Sequence, residues 1–69
     1  MERKAVDSSN LVSIGYDAKE RTLEVEFNGK SVYQYFDVPL NIYKDLMDSD
    51  SKGKFFAKFV KGAYDYKRA

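Results

Sequence analysis

One segment of this chain restricts its fold more than any other. The segment Thr22–Phe27 alternates polar and apolar residues without a break and is followed at once by Asn28 and Gly29. Successive side chains of a β-strand point to opposite faces, so strict alternation is typical of a strand with one buried face. The dipeptide Asn-Gly is the strongest short-range indication of a hairpin turn. We therefore predict a β-hairpin whose second strand is the aromatic-rich segment of residues 31–36.

The register of this hairpin has two alternatives, which differ in the face that the tyrosines occupy. A two-residue loop pairs Leu23 with Gln34 and turns Tyr33 and Tyr35 away from the core. A loop longer by one residue pairs Leu23 with Tyr35 and buries both tyrosines, because a slip of one residue reverses every side chain. Glutamine is a poor core residue, and the longer loop is therefore favoured.

Shorter patterns place one strand before the hairpin and two helices after it. Apolar residues recur at every second position of residues 10–16, as in a strand, at Val12, Ile14 and Tyr16. Pro39 suits the first turn of a helix, and residues 40–47 have a helical stripe of Leu40, Tyr43, Leu46 and Met47. A second helix, capped by Ser49 or Ser51, is predicted to run to Tyr64 or Tyr66, with an apolar face of Phe55, Phe56, Phe59 and Ala63.

Together these elements predict an α+β fold of one domain. It consists of a three-stranded antiparallel β-meander followed by two helices packed on one face, in the order β-β-β-α-α. Residues 1–7 are polar and unpatterned, so we expect them to be disordered or frayed. Residues 8–69 are expected to form the single domain that a chain of this length allows.

The absence of histidine and cysteine from the 69 residues excludes much chemistry. A disulfide, a Cys/His zinc site, a thiolate nucleophile and a Ser–His pair are all ruled out. We expect a protein that is not an enzyme and has no cofactor and no metal site. The core must then be built from large side chains, here six Tyr and five Phe. No apolar run could span a membrane and no signal peptide is evident, so we expect a cytoplasmic protein.

The net charge of +1 conceals two segments of opposite charge. Residues 1–50 carry six basic and ten acidic groups, whereas residues 51–69 carry six basic groups and one acidic group. On the predicted second helix, at about 100° per residue, three lysines cluster on one side, namely Lys54, Lys58 and Lys61. This basic segment is either a solvated helix face or a site for an anionic partner such as nucleic acid.

The central tyrosines also have two interpretations. Exposed rings stack on unpaired bases, whereas half-buried rings on a sheet supply the core of a small domain. In the nucleic-acid hypothesis the lysines contact phosphates and the tyrosines contact bases. The candidate residues are Lys52, Lys54, Lys58, Lys61, Tyr33 and Tyr35.

Several short motifs resemble those of the KTSC domain and occur in the same order. They are Tyr33-Gln34-Tyr35, then Val38-Pro39, then Ser51-Lys52-Gly53 ahead of Phe55-Phe56. The resemblance covers about residues 8–66. Domains of this family occur alone in bacterial and phage proteins and at the C-terminus of some lysyl-tRNA synthetases. The chain departs from the family at Lys30, where glycine is frequent, and at Ala57, where asparagine is common.

The resemblance implies a small α+β domain for which RNA binding has been suggested. The leading hypothesis is therefore a non-catalytic module that binds RNA or another nucleic acid through the lysine-rich C-terminal helix. The alternative is a protein-interaction or inhibitor module, for example a phage product that acts on a host or bacterial protein, because edge strands and a charged helix suit that role equally well.

Overall fold

The computed structural model describes residues 1–69, which form five strands and two helices. The elements in chain order are β1 (Arg3–Ala5), β2 (Leu11–Asp17), β3 (Thr22–Phe27), β4 (Val32–Tyr35), α1 (Leu40–Asp48), α2 (Lys52–Phe59) and β5 (Tyr66–Arg68). The strands form one sheet in the order β1-β2-β3-β4-β5, and every neighbouring pair is antiparallel. The α+β class is confirmed, but the sheet has five strands rather than the predicted three.

The two additional strands are the edge strands β1 and β5, each three residues long. A segment this short shows no periodicity that sequence reading can detect. The prediction that the second helix runs to Tyr64 or Tyr66 is wrong, because α2 ends at Phe59. Gly62 then adopts a φ of 81°, a left-handed conformation typical of the segment after a helix. The chain returns from there to pair with β4.

The longer hairpin loop between β3 and β4 is confirmed. Leu23 pairs with Tyr35 and Val25 pairs with Tyr33, so both tyrosines lie on the face that carries the core. The backbone N–H of Lys30 donates to the carbonyl of Phe27 at 3.2 Å. Gly29 and Lys30 both have positive φ, 87° and 69°. Glycine adopts this region freely, whereas a lysine there is strained.

Strand β2 contains a β-bulge that changes which of its residues are buried. The register shifts between Leu11, which pairs with Phe27, and Ser13, which pairs with Glu26. As a result Leu11 is 2% exposed, whereas Val12 is 39% exposed. The predicted strand is confirmed, but Val12 does not share the burial of Ile14, because a bulge interrupts the two-residue period.

The core lies between one face of the sheet and the two helices. Its nine buried apolar residues are Leu11, Ile14, Leu23, Val25, Tyr35, Val38, Leu46, Phe56 and Val60. The two that come from α2 and its C-terminal cap are four positions apart and thus share one helix face. Leu40 and Phe59, both predicted to face the core, are exposed.

Tyr16 joins β2 to α1. Its ring stacks on that of Tyr43, with the centroids 4.8 Å apart and the planes 9° apart. Its hydroxyl donates a hydrogen bond to the carbonyl oxygen of Val38, just before α1. This tyrosine thus has both a packing partner and a hydrogen-bond partner within the protein.

The face of the sheet turned away from the helices carries five linked polar side chains, which we call the polar network. Arg3 donates to Ser13 at 2.9 Å and forms an ion pair with Glu24. Ser13 donates in turn to Glu26 at 2.9 Å, and Gln34 donates to Glu24 at 2.9 Å. The polar network therefore connects four neighbouring strands, β1 to β4.

The polar network explains why the N-terminal segment, predicted to be frayed, forms a strand. Arg3 reaches from β1 over Glu24, whose exposure is only 8%. The absence of a side chain at Gly15 allows β1 to pack closely against β2. A β-carbon at this position would lie 2.7 Å from the carbonyl oxygen of Glu2 and would clash with it. Burial by itself would raise the pKa of Glu24, but the hydrogen bonds from Gln34 and Arg3 and the charge of Arg3 lower it below its ordinary value.

Candidate functional site

A groove between α2 and the strands β3, β4 and β5 is the largest concavity of the molecule. Its volume is about 710 Å³, which lies within the roughly 300–1,000 Å³ range of small-molecule sites. We call it the aromatic groove. Its lining residues are Asn10, Leu11, Phe27, Asn28, Tyr33, Tyr35, Gly53, Phe56, Ala57, Lys61, Gly62 and Tyr66.

Five aromatic rings in mutual contact line the aromatic groove. The ring of Phe56 meets those of Phe27 and Tyr35 edge to face, with centroids 5.3 and 5.2 Å apart. Tyr33 lies 5.7 Å from Phe27. Tyr66 lies 5.8 Å from Tyr33 and 5.5 Å from Tyr35. Aromatic contacts of this kind contribute about 0.5–1.5 kcal/mol each beyond the burial of their surface, so the five rings stabilise one another as the wall of the groove.

The rings differ in how much of their surface faces the solvent. Tyr35 is 5% exposed and forms part of the core, so its ring has no free face on which a base could stack. Tyr33 is half-buried, whereas Tyr66, at 59%, is the most exposed aromatic side chain of the groove. The exposed ring surface of the groove is therefore supplied by Tyr33 and Tyr66, and the burial of the Tyr35 ring argues against the stacking role predicted for it.

The tyrosine hydroxyls of the aromatic groove have no partner within the protein. Tyr16, outside the groove, is the one tyrosine whose hydroxyl donates an internal hydrogen bond. No buried side-chain polar atom lacks a partner, so the hydroxyls of Tyr33, Tyr35 and Tyr66 are reached by solvent. Burial raises the pKa of Tyr35, and the neighbouring hydroxyls of Tyr66 and Tyr33 raise it further. The groove therefore offers a ligand neutral groups that both donate and accept hydrogen bonds.

The predicted lysines occupy different positions around the aromatic groove. Lys61 lies just after α2 and lines the groove. Lys54 and Lys58 are exposed and, at about 100° per residue, lie on the solvent side of the groove-lining residue Ala57. Lys52 is half-buried, and its ammonium donates to the carbonyl of Ser49 at 3.1 Å. The structure thus places Lys61 at the groove and Lys54 beside it, whereas Lys58 lies on the exposed side of α2 with its ammonium 5.3 Å from the centroid of the Phe59 ring.

Two asparagines lie at the hairpin end of the aromatic groove. The backbone N–H of Asn28 donates to the carbonyl of Asn10 at 3.2 Å, which joins the hairpin to the start of β2. The side-chain amide of Asn28 donates to the carbonyl of Ser9. The side-chain amide of Asn10 makes no hydrogen bond within the protein and lies against Gly53 of α2.

A smaller polar pocket of about 320 Å³ adjoins the aromatic groove at the N-terminus of α2. The two concavities share Asn10 and Gly53. The remaining lining residues are Asp7, Ser8, Ser9, Asp50, Ser51, Lys52 and Lys54. No side chain caps the first turn of α2.

Sequence reasoning did not find Tyr66, Phe27 and Asn10 as members of a site. Tyr66 was assigned to a helix, and its position in β5 depends on pairing with Tyr35, which no local pattern reveals. Phe27 was expected to be a core residue alone, but the end of β3 is half-buried and leaves its ring at the groove. Asn10 lies next to the β-bulge of β2, which sequence reading also missed.

The fold and the groove define a small α+β domain built from one five-stranded sheet and two helices. The family model of the KTSC domain matches residues 7–64, most of the chain. The chain belongs to the KTSC domain family. It is also similar to the crystal structure of a KTSC domain protein from Yersinia pestis, with 38% identity, a TM-score of 0.96 and coverage of 99% of this chain and 96% of the other. That likeness extends over both edge strands.

Curated relatives fall into two kinds. One is an uncharacterized protein of Stutzerimonas stutzeri, which is 41% identical over 88% of this chain and 86% of its own length. The other kind includes the lysine–tRNA ligase of Trichormus variabilis, which is 43% identical over 90% of this chain. The chain spans only 11% of the length of that ligase. In the structure, neither helix is long and apolar enough to cross a membrane.

Proposed function

We propose that this chain is a small non-catalytic module that binds single-stranded RNA in the aromatic groove. The single observation that carries the proposal is the juxtaposition of an exposed aromatic wall with Lys61 at its edge and Lys54 and Lys58 beside it. Proteins that bind single strands combine stacking platforms with cations that follow the phosphates. The groove provides both elements on one side of the molecule.

Stacking in this proposal is assigned to Tyr33 and Tyr66, whose rings border the opening of the groove. A base–aromatic contact contributes about 1–3 kcal/mol. Double-stranded RNA presents few unstacked bases, so a site of this kind favours single strands, loops and ends. Relatives named lysine–tRNA ligase contain a similar segment, and tRNA, which has unpaired loops and a single-stranded end, is the first natural RNA to test. We place this activity in the cytoplasm.

The phosphate contacts are assigned to Lys54, Lys58 and Lys61. Each lysine that neutralises a phosphate releases a counterion, so affinity falls as salt concentration rises. Lys52 is assigned a smaller part, because its ammonium is already bound to the carbonyl of Ser49. Replacing two exposed lysines with glutamates should therefore weaken binding to every RNA sequence alike.

The test is a fluorescence anisotropy titration of a labelled single-stranded RNA decamer at low salt. The double variant Lys54→Glu/Lys58→Glu is expected to bind about tenfold more weakly. The slope of log affinity against log salt concentration should also become less steep, by about 1–2. The matched control is Lys19→Glu/Lys44→Glu, which makes the same change of charge at exposed positions outside the groove. Equal affinity of the two double variants would refute the proposed phosphate contacts.

A second candidate function, a protein-interaction or inhibitor module, rests on a different surface. The rings of Phe55 and Phe59 are in contact, with centroids 4.6 Å apart and planes tilted by 40°, and Phe59 is 44% exposed. Lys58 lies 5.3 Å from the centroid of the ring of Phe59. Aromatic side chains, phenylalanine included, are enriched at protein interfaces, and this pair is partly exposed. Stoichiometric co-purification of one bacterial protein, lost in Phe59→Ser and retained in Tyr66→Ser, would favour this candidate.

A further inference from the structure

Arg68, the last residue of β5, is a cation beside the aromatic groove that the proposed phosphate contacts do not include. It pairs with Tyr33 across the β4–β5 ladder, and cross-strand partners point to the same face of a sheet. Tyr33 lines the groove, so the side chain of Arg68 lies on the groove side of the sheet. Lys67, one residue earlier, pairs with Gln34 of the polar network. The two neighbouring cations of β5 therefore lie on opposite faces of the sheet.

The guanidinium group of Arg68 has donors to spare for a ligand. Its side-chain hydrogen bond within the protein is a donation to the hydroxyl of Ser31 at 3.4 Å, which is longer than an ordinary hydrogen bond. Both ion pairs of the protein involve Arg3, so no carboxylate is bound to Arg68. A guanidinium carries five N–H donors and can bind a phosphate through two parallel hydrogen bonds. The exposed side chain of Arg68 is therefore available to a phosphate.

The strand that carries Arg68 is fixed at both ends. The backbone N–H of Phe36 donates to the carbonyl of Asp65 at 2.9 Å, just before β5. The backbone N–H of Ala69 donates to the carbonyl of Val32 at 2.8 Å, just after it. Arg68 therefore projects from a regular strand and not from a frayed end, which favours a defined binding position.

Arg68 and Lys61 lie at opposite ends of the aromatic groove. Gly53, near the start of α2, lies against Asn10 at the hairpin end. The eight residues of α2 extend about 12 Å from there. Lys61 follows the helix and lines the end of the groove away from the hairpin. Arg68, in contrast, contacts Ser31 in the hairpin loop.

The exposed rings of the groove follow Arg68 in the direction of Lys61. Tyr33 is the cross-strand partner of Arg68, and Tyr66 lies two positions earlier in β5, about 7 Å farther from the hairpin. The centroids of these two rings are 5.8 Å apart. The exposed aromatic surface thus has a cation at each end.

We infer that the unpaired RNA strand runs along β5, with one phosphate bound by Arg68 at the hairpin end and another bound by Lys61 at the far end. The nucleotides between these phosphates pass over the rings of Tyr33 and Tyr66. This inference rests on the proposed function and goes beyond it, because it adds a phosphate-binding residue and gives the strand a path. The ligand that fits is an unpaired stretch with phosphates on both sides of the stacked bases, and not a single nucleotide or a double strand.

The test compares Arg68→Gln with Lys67→Gln in anisotropy titrations of a labelled single-stranded RNA decamer at low salt. Each variant removes one positive charge from an exposed residue of β5, but the two residues lie on opposite faces. Arg68→Gln is expected to weaken binding about fivefold. It should also make the slope of log affinity against log salt concentration less steep by about 0.7, the contribution of one phosphate contact on a single strand. Lys67→Gln, the matched control, should change both quantities much less.

Two further variants separate a phosphate contact from a structural role of Arg68. Arg68→Lys keeps the positive charge and should keep the salt slope of the unmodified protein. Ser31→Ala removes the hydrogen-bond partner of Arg68 and should leave RNA affinity unchanged. A loss of affinity in Ser31→Ala as large as that in Arg68→Gln would mean that Arg68 acts by holding the hairpin, and the inferred phosphate contact would be wrong.

The remaining outcomes distinguish the inference from the proposed function. If Arg68→Gln binds as tightly as the unmodified protein while Lys54→Glu/Lys58→Glu still weakens binding, the proposed RNA module stands and the path along β5 is wrong. Equal weakening in Arg68→Gln and Lys67→Gln would also overturn the path, because a general loss of charge would then explain both. If the decamer does not bind the unmodified protein at low salt, the proposed function and the inference both fail.

Discussion

The two faces of the sheet show opposite uses of polar side chains. On the face away from the helices, Arg3, Ser13, Glu24 and Gln34 satisfy one another through hydrogen bonds near 2.9 Å and an ion pair. On the helix side, the hydroxyls of the groove tyrosines and the amide of Asn10 have no partner within the protein. Strand β4 carries members of both sets, because Gln34 faces the polar network whereas Tyr33 and Tyr35 face the groove.

This contrast separates polar groups that stabilise the fold from polar groups that are available to a ligand. Buried polar atoms are costly when unpaired, and every buried side-chain polar atom, those of the polar network included, has a partner. The groove hydroxyls avoid that cost only because solvent reaches them, and a ligand can replace the solvent. Substitutions in the polar network should therefore change stability and not RNA binding, whereas substitutions at the rim of the groove should do the reverse.

The largest expected effect comes from Phe56→Ala, because this residue belongs to both the core and the groove. Removing its ring deletes the contacts with Phe27 and Tyr35 and opens a cavity. The free energy of unfolding, measured by urea denaturation, should fall by about 3–5 kcal/mol. The control Val12→Ala, at an exposed position, should change it by less than about 0.5 kcal/mol. A loss below about 1 kcal/mol in Phe56→Ala would mean that the described core is wrong.

The second-largest effect on stability is expected from a substitution in the polar network, at Glu24. Glu24→Gln keeps the size of the side chain but removes the charge that pairs with Arg3. The free energy of unfolding should fall by about 2 kcal/mol, because hydrogen bonds to a charged partner are lost. RNA affinity should not change. Glu20→Gln, at an exposed turn position, serves as the control and should leave both quantities unchanged. A loss of RNA affinity in Glu24→Gln would contradict the claim that the polar network stabilises the fold without taking part in RNA binding.

Tyr66→Ala tests the claim that the rim of the aromatic groove serves RNA binding and contributes little to stability. This side chain is exposed, so its removal should cost little stability, but it should weaken the binding of a single-stranded RNA decamer about tenfold through the loss of a stacking surface. The control is Leu40→Ala, which removes a similarly exposed large apolar side chain from α1, outside the groove. If both variants bind RNA as weakly as each other, the effect of Tyr66 is not specific to the groove.

A smaller effect is expected at the hairpin that closes one end of the groove. Lys30 has a φ of 69°, and Lys30→Gly should relieve this strain. The melting temperature should rise, with a gain of about 0.5–1 kcal/mol in the free energy of unfolding. Lys19→Gly, at a turn position without positive φ, is the control and should give no gain. A destabilised Lys30→Gly variant would contradict the described loop conformation.

The smallest effect is the pH dependence that the polar network imposes. The pKa of Glu24 in the folded protein lies below its ordinary value of 4.5. The stabilisation from its charge is therefore fully present above pH 4.5 and is lost as the pH falls through the folded pKa. The difference in unfolding free energy between the unmodified protein and Glu24→Gln should shrink between pH 5 and pH 3, as followed by urea denaturation. A difference that stays constant over this range would refute the proposed ion pair.

The sequence predicted the hairpin register correctly because two independent observations agreed. The alternation of β3 defined its buried face, and Gln34 was unsuitable for that face, so only the longer loop satisfied both. The order of the central strands and helices followed from equally local patterns. The five-ring groove was not predictable, because Tyr66 reaches it only through the pairing of β5 with β4.

The polar network could not be predicted from the sequence for a similar reason. Arg3 and Glu24 are 21 residues apart, and a charge pair over that distance leaves no periodic trace. The exposure of Val12 does not follow from its two-residue spacing to Ile14, because a single inserted residue, the bulge in β2, changes the phase of the strand. The sequence shows that lysines are concentrated in residues 52–61, but their position relative to the groove depends on where α2 ends.

An NMR titration of the ¹⁵N-labelled protein with a single-stranded RNA decamer at low salt tests the contrast between the two faces most directly. We predict that amide shifts change at Tyr33, Lys61 and Tyr66 around the groove, and that those of Ser13 and Glu24 in the polar network remain in place. Changes concentrated on the polar network, or no changes at RNA concentrations that saturate ordinary single-strand binders, would contradict the assignment of the groove as the binding site.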